Sequence, residues 1–129
     1  MAALTLRKRE RLCSMRLIDR LFNGAGSHST VAFPMRVVWS VIERQEQAPL
    51  QIMVSVSKRH FKHAVKRNRV KRQIREAYRL NKQPLAERLD EMPDKSVIIG
   101  FIWLSDELQS SAVVAEKMRR LIRQITEKL

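Results

Sequence analysis

Between Lys58 and Arg79 the chain carries ten Lys and Arg residues and a single acid, Glu76. Wound at about 100° per residue, the segment from Ala64 to Leu80 gathers Val70, Ile74, Ala77 and Tyr78 on one side. Asn68, Arg69, Lys71, Arg72, Arg75 and Arg79 spread over the other side. Lys66 and Arg67 lie in the first turn, toward the edges of the apolar side. So narrow a stripe suits packing on a sheet and leaves a cationic ridge outside. Like charges at i,i+3 and i,i+4 repel by about 0.2–0.5 kcal/mol per pair. A solvated charged face normally mixes both signs, and this one does not. Phosphate binding removes the repulsion and releases counterions. Arginine forks grip two phosphate oxygens or stack on a base. Asn68 adds a neutral donor and acceptor suited to a sugar hydroxyl or a base edge.

The whole chain agrees with this local reading. Across 129 residues, 26 Lys and Arg stand against 13 Asp and Glu, a net charge of +13. A polyanion is the expected partner, nucleic acid before an anionic membrane surface. RNA is favoured over DNA because a compact mixed α/β module with such a ridge is not a usual groove-reading DNA motif. Aromatics are 5% of residues, which argues against a surface built mainly on base stacking. Cys13 is the only cysteine, so no disulfide within the chain and no multi-cysteine zinc site can form. It reads as a small buried or half-buried apolar residue. The longest apolar run, Val97 to Leu104, is far short of the roughly 20 residues a spanning helix needs. Residues 1–11 have no apolar stretch behind their charges and do not read as a signal peptide. A cytoplasmic protein without a membrane partner is expected.

Periodicity divides the chain into one α/β domain over residues 1–129, with 1–11 as a mobile basic arm. Ser14 caps a helix over Met15–Asn23, with Leu17, Ile18, Leu21 and Phe22 on one face and Gly24 and Gly26 after it. Residues 27–30 read as a loop, with an added strand near Val31–Phe33. Met35–Ile42 and Gln51–Val56 read as strands, and the polar link between them suggests an antiparallel pair. The basic helix follows, closed by Pro84, with a short extra helix over Leu85–Met92. Ser96–Leu104 is an almost unbroken apolar run, which suggests a central strand covered on both faces. Apolar residues from Leu108 to Leu129 at spacings of 3 and 4 give a long final helix, with Ser105, Ser110 or Ser111 as its cap. The sum is a two-layer α+β arrangement: a small mixed sheet of about four strands with three main helices.

No catalytic constellation is visible. Asp90, Glu91 and Asp94 read as a solvated turn. His60 and His63 lack a third ligand and sit among cations, so they read as extra polar contacts at an RNA surface. His28 reads as a loop residue. There is no Gly-rich phosphate loop and no Ser/His/Asp arrangement. Ile18 and Phe22 read first as core, with a cleft beside the sheet that stacks an unpaired nucleotide as the alternative for Phe22.

These residues resemble a known family. Ser55-Val56-Ser57-Lys58-Arg59, then Ala64 to Arg72, then Ile74 to Arg79 are similar to the signature of the bacterial ribonuclease P protein component. Its Arg-Asn-Arg-x-Lys-Arg core is matched by residues 67–72. Arg9, Arg11, Leu12 and Phe22 also fit the family pattern. The resemblance spans the chain in element order and is specific over residues 54–79. It implies a ribozyme subunit. The RNA would remove the 5′ leader of precursor tRNA with magnesium ions at its own active centre. The protein would bind that RNA and the leader, with no cofactor or small-molecule substrate of its own. Carried over, RNA-subunit binding falls on Lys58, Arg59, Lys66, Arg67, Asn68, Arg69, Lys71, Arg72 and Arg75. The leader-binding cleft falls on Ile18, Phe22, Phe33 and Arg36. The family fold also implies a left-handed β-α-β crossover through the basic helix. Two positions depart from the family: Lys62-His63 stands where Gly-Asn is usual, and Ile18 where an aromatic is common. A general RNA-binding or ribosomal-type protein is the alternative reading. A protein-only nuclease is disfavoured by the missing carboxylate constellation.

Overall fold

A computed structural model describes residues 8–46 and 48–129. A 3-10 turn over Lys8–Glu10 precedes α1 (Met15–Asn23), β1 (His28–Ala32), β2 (Met35–Glu43) and β3 (Leu50–Ser55). Then come α2 (Ala64–Asn81), α3 (Gln83–Asp90), β4 (Lys95–Trp103) and α4 (Ser111–Lys128). The sheet order is β1-β2-β4-β3. β4 runs antiparallel to β2 and parallel to β3.

The central strand is the one the apolar run predicts. Val97, Ile98, Ile99 and Phe101 are fully buried, alternating between the two faces of β4. Val97, Ile99, Phe101 and Trp103 join Val37, Trp39 and Ile52 on one face, beneath α2, α3 and α4. From α2, the residues buried there are Val70, Ile74, Ala77 and Tyr78, the stripe read from the sequence. On the opposite face Ile98, Val38 and Ile42 meet Leu17 and Leu21 of α1. The expected two layers are therefore the sheet and α2–α4, while α1 adds a partial third layer.

Two expectations about the strands give way. β2 and β3 are not an antiparallel pair, because β4 lies between them. β4, buried on both faces along its length, takes the position between them, and this outweighs neighbourhood along the chain. The polar link after β2 instead crosses the start of β4: Arg44 N–H donates to the Asp94 carbonyl at 3.0 Å, and Val97 N–H to the Pro49 carbonyl at 2.9 Å. The Arg44 guanidinium also donates to the carbonyls of Leu89 and Met92, at 3.1 and 2.9 Å. Residues 28–30 are strand rather than loop, pairing with Trp39, Val38 and Val37. An edge strand needs no apolar run, and His28 is held by stacking on Trp39, with ring centroids 4.4 Å apart.

The helix termini follow local chemistry. Ser14 Oγ accepts from Leu17 N–H at 3.3 Å, and Ser110 Oγ accepts from Val113 N–H at 3.2 Å. Gly24 ends α1 with its N–H on the Arg20 carbonyl at 2.9 Å. A Cβ there would stand 2.3 Å from that carbonyl oxygen, so no larger residue fits. Pro84 does not close α2, which ends at Asn81. It sits in the first turn of α3, where its missing N–H has no helical acceptor to lose.

The basic arm expected over 1–11 falls partly on residues 1–7, which lie outside the described residues. Residues 8–11 are docked. Arg11 bridges in parallel to Ile52, Leu12 N–H donates to the Ile52 carbonyl at 2.7 Å, and Lys82 Nζ meets Glu10 Oε2 at 2.7 Å. That ion pair is largely buried, with side-chain exposures of 6% for Lys82 and 16% for Glu10. It clamps the segment along the free edge of β3. Cys13 is exposed, not buried, because Leu12 is the residue this segment turns inward.

Candidate nucleic-acid interface

The ridge begins in the turn between β3 and α2. Phe61 is buried there and anchors the turn, while Ser57 accepts from the N–H groups of His60 and Phe61. His63 occupies the N-cap position without a side-chain capping bond. Arg67 does the holding instead, donating from Nη1 to the carbonyls of Phe61 and Lys62, each at 2.8 Å. Arg67 is thus half-buried and directed back onto its own turn. Lys58, Arg59, Lys66, Asn68, Arg69 and Arg72 are exposed, and Lys71 and Arg75 are partly so. Glu76 is held by Arg79, whose Nε donates to Glu76 Oε2 at 3.0 Å. This pairing keeps the Glu76 carboxyl below its usual range and raises Arg79. The one acid of the ridge is therefore spent on Arg79, and the cations nearer the helix start keep their field. Burial and the neighbouring Arg11 pull Arg75 below the usual guanidinium range. Arg11 and Arg75 line a common recess beside β3 with Cys13 and Met53.

His60 is not a free surface contact. Its Nδ1 lies 2.7 Å from Asp106 Oδ1, which ties the turn to the segment after β4. His63 is exposed.

The second surface lies under α1. Strand register puts Ser55, Ile102, Arg36 and Val31 in one row across the sheet, and Met53, Gly100, Val38 and Ser29 in the next. Both rows share the α1 face. A third row, Gln51, Ile98 and Ser40, is buried. Exposure rises away from it: Arg36 and Val31 are open, the latter 57% exposed. α1 covers only the inner part of this face, leaving a groove of about 280 Å³ lined by Leu21, Phe22, Ser29, Arg36, Val38 and Ile102. Phe22 forms its wall with 40% of its surface exposed, so it is not a core residue. Gly100 makes this possible, since a Cβ there would meet Phe22 Cζ at 3.1 Å and Leu21 Cδ2 at 3.2 Å. Arg36 Nε donates to Ser29 Oγ at 2.8 Å, which lays the guanidinium along the floor.

Of the four cleft residues read from the sequence, Phe22 and Arg36 come together. Phe33 is 59% exposed in the β1–β2 turn, and Ile18 packs half-buried against the Leu17–Leu21 cluster; neither lines the groove. Val38, Ile102 and Gly100 were missed, since only strand register brings them together. Arg11 was also missed as a neighbour of Arg75. β3 ends in the outer row, at Ser55, and leads straight into the turn that carries Lys58 and Arg59. A groove that pairs the apolar edge of Phe22, Val38 and Ile102 with a polar floor of Ser29 and Arg36, and a cationic helix, thus start from one end of the sheet. This arrangement can hold an unpaired base and a run of phosphates. Among the described residues, no group of three His, Cys, Asp or Glu side chains could hold a metal ion, and no helix is long and apolar enough to cross a membrane.

Residues 6–99 match the family model described as Ribonuclease P. The chain belongs to the ribonuclease P protein family. The ribonuclease P protein component of Porphyromonas gingivalis is 42% identical over 123 residues, covering 95% of this chain and 88% of the relative. That of Chlorobium phaeobacteroides is 32% identical over 128 residues, covering 94% and 88%. The fold is also that of the Staphylococcus aureus RNase P protein, with a TM-score of 0.60 at 19% identity over 90% of this chain and 94% of that one. In this ribonuclease P family member, the Lys62-His63 departure leaves the N-cap unbonded, and Arg67 meets the carbonyls of the turn. At the other departure, Ile18 serves packing rather than the groove.

Proposed function

We propose that the chain is the protein subunit of ribonuclease P, binding the catalytic RNA through the α2 ridge and the 5′ leader of precursor tRNA in the α1 groove. The single observation that carries this reading is the placement of the family's Arg-Asn-Arg helix at the end of the sheet where the groove opens. Cleavage belongs to the RNA, at magnesium ions that the RNA binds; the protein raises substrate affinity and lowers the magnesium requirement. Lys58, Arg59, Lys66, Arg69, Lys71, Arg72 and Arg75 neutralise phosphates of the RNA subunit, and Asn68 adds a neutral hydrogen-bonding contact to a sugar hydroxyl or a base edge. Arg67 contributes charge but also fixes the turn. Phe22 offers a stacking edge to an unpaired base, and Arg36 offers its fork to the leader backbone. The complex works in the cytoplasm.

The test is cleavage of precursor tRNA by a bacterial ribonuclease P RNA at low magnesium, with and without the protein, and with protein alone. Cleavage that needs both components is expected. Cleavage by protein alone contradicts the assignment of chemistry to RNA. RNA binding without any effect on cleavage leaves a general RNA-binding protein instead. Arg69→Ala and Arg72→Ala are the informative variants, because both side chains are exposed and hold no turn. Each lowers the salt slope of RNA binding by about 0.7–0.9.

A further inference from the structure

Resting on the reading of the chain as an RNA-binding subunit, we infer a second contact with the RNA subunit: a groove between α4 and the α2–α3 junction that receives an unpaired nucleotide. The groove encloses about 480 Å³. Leu80, Pro84 and Ile122 supply an apolar surface, and Leu80 remains 51% exposed although it stands at the end of a well-packed helix. Arg119 and Arg123 stand on its rim, exposed and one turn apart on α4.

Charge identifies the occupant. Arg119 and Arg123 are spaced i,i+4, a repulsive arrangement for like charges. Neither makes an ion pair among the described residues. Glu116, one turn before Arg119, is directed at Arg120 at 3.6 Å. Glu127 is the one acid lining the groove. An apolar floor beside two unpaired guanidiniums matches a nucleotide: a base against Leu80 and Pro84, its phosphate against Arg119 and Arg123. An acidic peptide would satisfy the charges but has no flat apolar group to fill the floor unless it presents an aromatic.

Position identifies which RNA. α4 and α2 cover one face of the sheet, and the leader groove opens on the other. Gln73 Nε2 donates to the Gln109 carbonyl at 3.0 Å, so α4 starts beside the middle of α2, and the groove follows at the end of the same ridge. A nucleic acid lying along α2 reaches Leu80 by continuing in one direction. That strand belongs to the RNA subunit, not to the leader.

The test is a salt titration of binding to ribonuclease P RNA alone, for wild type, Arg119→Gln/Arg123→Gln and Leu80→Ser. A charge control, Lys117→Gln/Lys128→Gln, removes the same charge from α4 outside the groove lining. The arginine pair variant should lose about 1.4–1.8 from the salt slope, and Leu80→Ser should weaken binding several-fold with the slope unchanged. The control should do neither in full, and precursor tRNA affinity of the assembled complex should be unaltered. Equal losses in the control and the arginine variant, or wild-type binding by the arginine variant or by Leu80→Ser, overturn the site. A loss confined to precursor tRNA affinity also overturns it. If wild type itself fails to bind the RNA, the proposed function fails first. Circular dichroism confirms that each variant is folded.

Discussion

The two faces of the sheet are built from alternate residues of the same strands, yet they do different work. On one face Trp39, Ile99, Phe101 and Trp103 are covered by three helices and almost fully buried. On the other, Val38, Ile98 and Ile42 are covered by nine residues of α1, and the outer row from Val31 to Ser55 is left half open. Each fully buried large apolar side chain contributes about 1.5–3 kcal/mol, so the closed face carries most of the stability. Stability that rests on one face frees the other to keep a groove, an exposed Phe22 and an arginine on its floor. The cationic ridge belongs to the same division. Its inner stripe seals the closed face, and its outer surface is available to phosphate.

The largest effect belongs to the closed face. Ile74→Asp puts a carboxylate into a fully buried apolar site, which costs several kcal/mol against a total stability of about 5–15 kcal/mol. The cooperative melting transition should be lost. A folded, soluble variant would mean that α2 does not seal this face.

Gly100→Val strikes the open face and should cost about 1–3 kcal/mol, because its side chain must displace Phe22 and Leu21. Affinity for precursor tRNA should fall while affinity for the RNA subunit holds. Equal losses in both titrations would break the division between the faces.

The smallest effect sharpens it. The Tyr78 hydroxyl is buried on the closed face, without a hydrogen-bond partner among the described residues. Burial, and then the charge of Glu10, push its pKa up, so the folded state keeps the proton. The unfolded chain releases it near pH ~10. The folded pKa is the higher one, so stability from this group is intact below about pH 10 and declines above it. Tyr78→Phe should remove that part of the alkaline loss and stabilise by up to about 1 kcal/mol at neutral pH. Urea midpoints of both proteins at pH 8 and pH 10.5 check this. A destabilised Tyr78→Phe at pH 8 would reveal a partner for the hydroxyl.

Elements dominated by one periodicity were legible in the sequence. The Ser14 cap and α1, the α2 stripe and the central position of β4 each follow from spacing or from an unbroken apolar run. Strand order was not legible, because proximity along the chain favours a β2–β3 hairpin, while burial of both faces of β4 decides the sheet. β1 was hidden by its polar edge sequence, His28-Ser29-Thr30. On the ridge, side-chain type marked the cations, but only the structure separates Arg67, turned back to its own carbonyls, from Arg69 and Arg72. The groove depended on register: Phe22, Arg36 and Ile102 are distant in sequence, and Gly100 gives no signal that it makes room for a ring.

The most direct test of the account measures affinity of the assembled complex for precursor tRNA with a leader of several unpaired nucleotides and for mature tRNA, with wild type and with Phe22→Ala/Arg36→Gln. Wild type should favour the precursor, and the variant should lose most of that preference while binding mature tRNA and the RNA subunit as before. An unchanged preference in the folded variant would contradict the assignment of the open face to the leader.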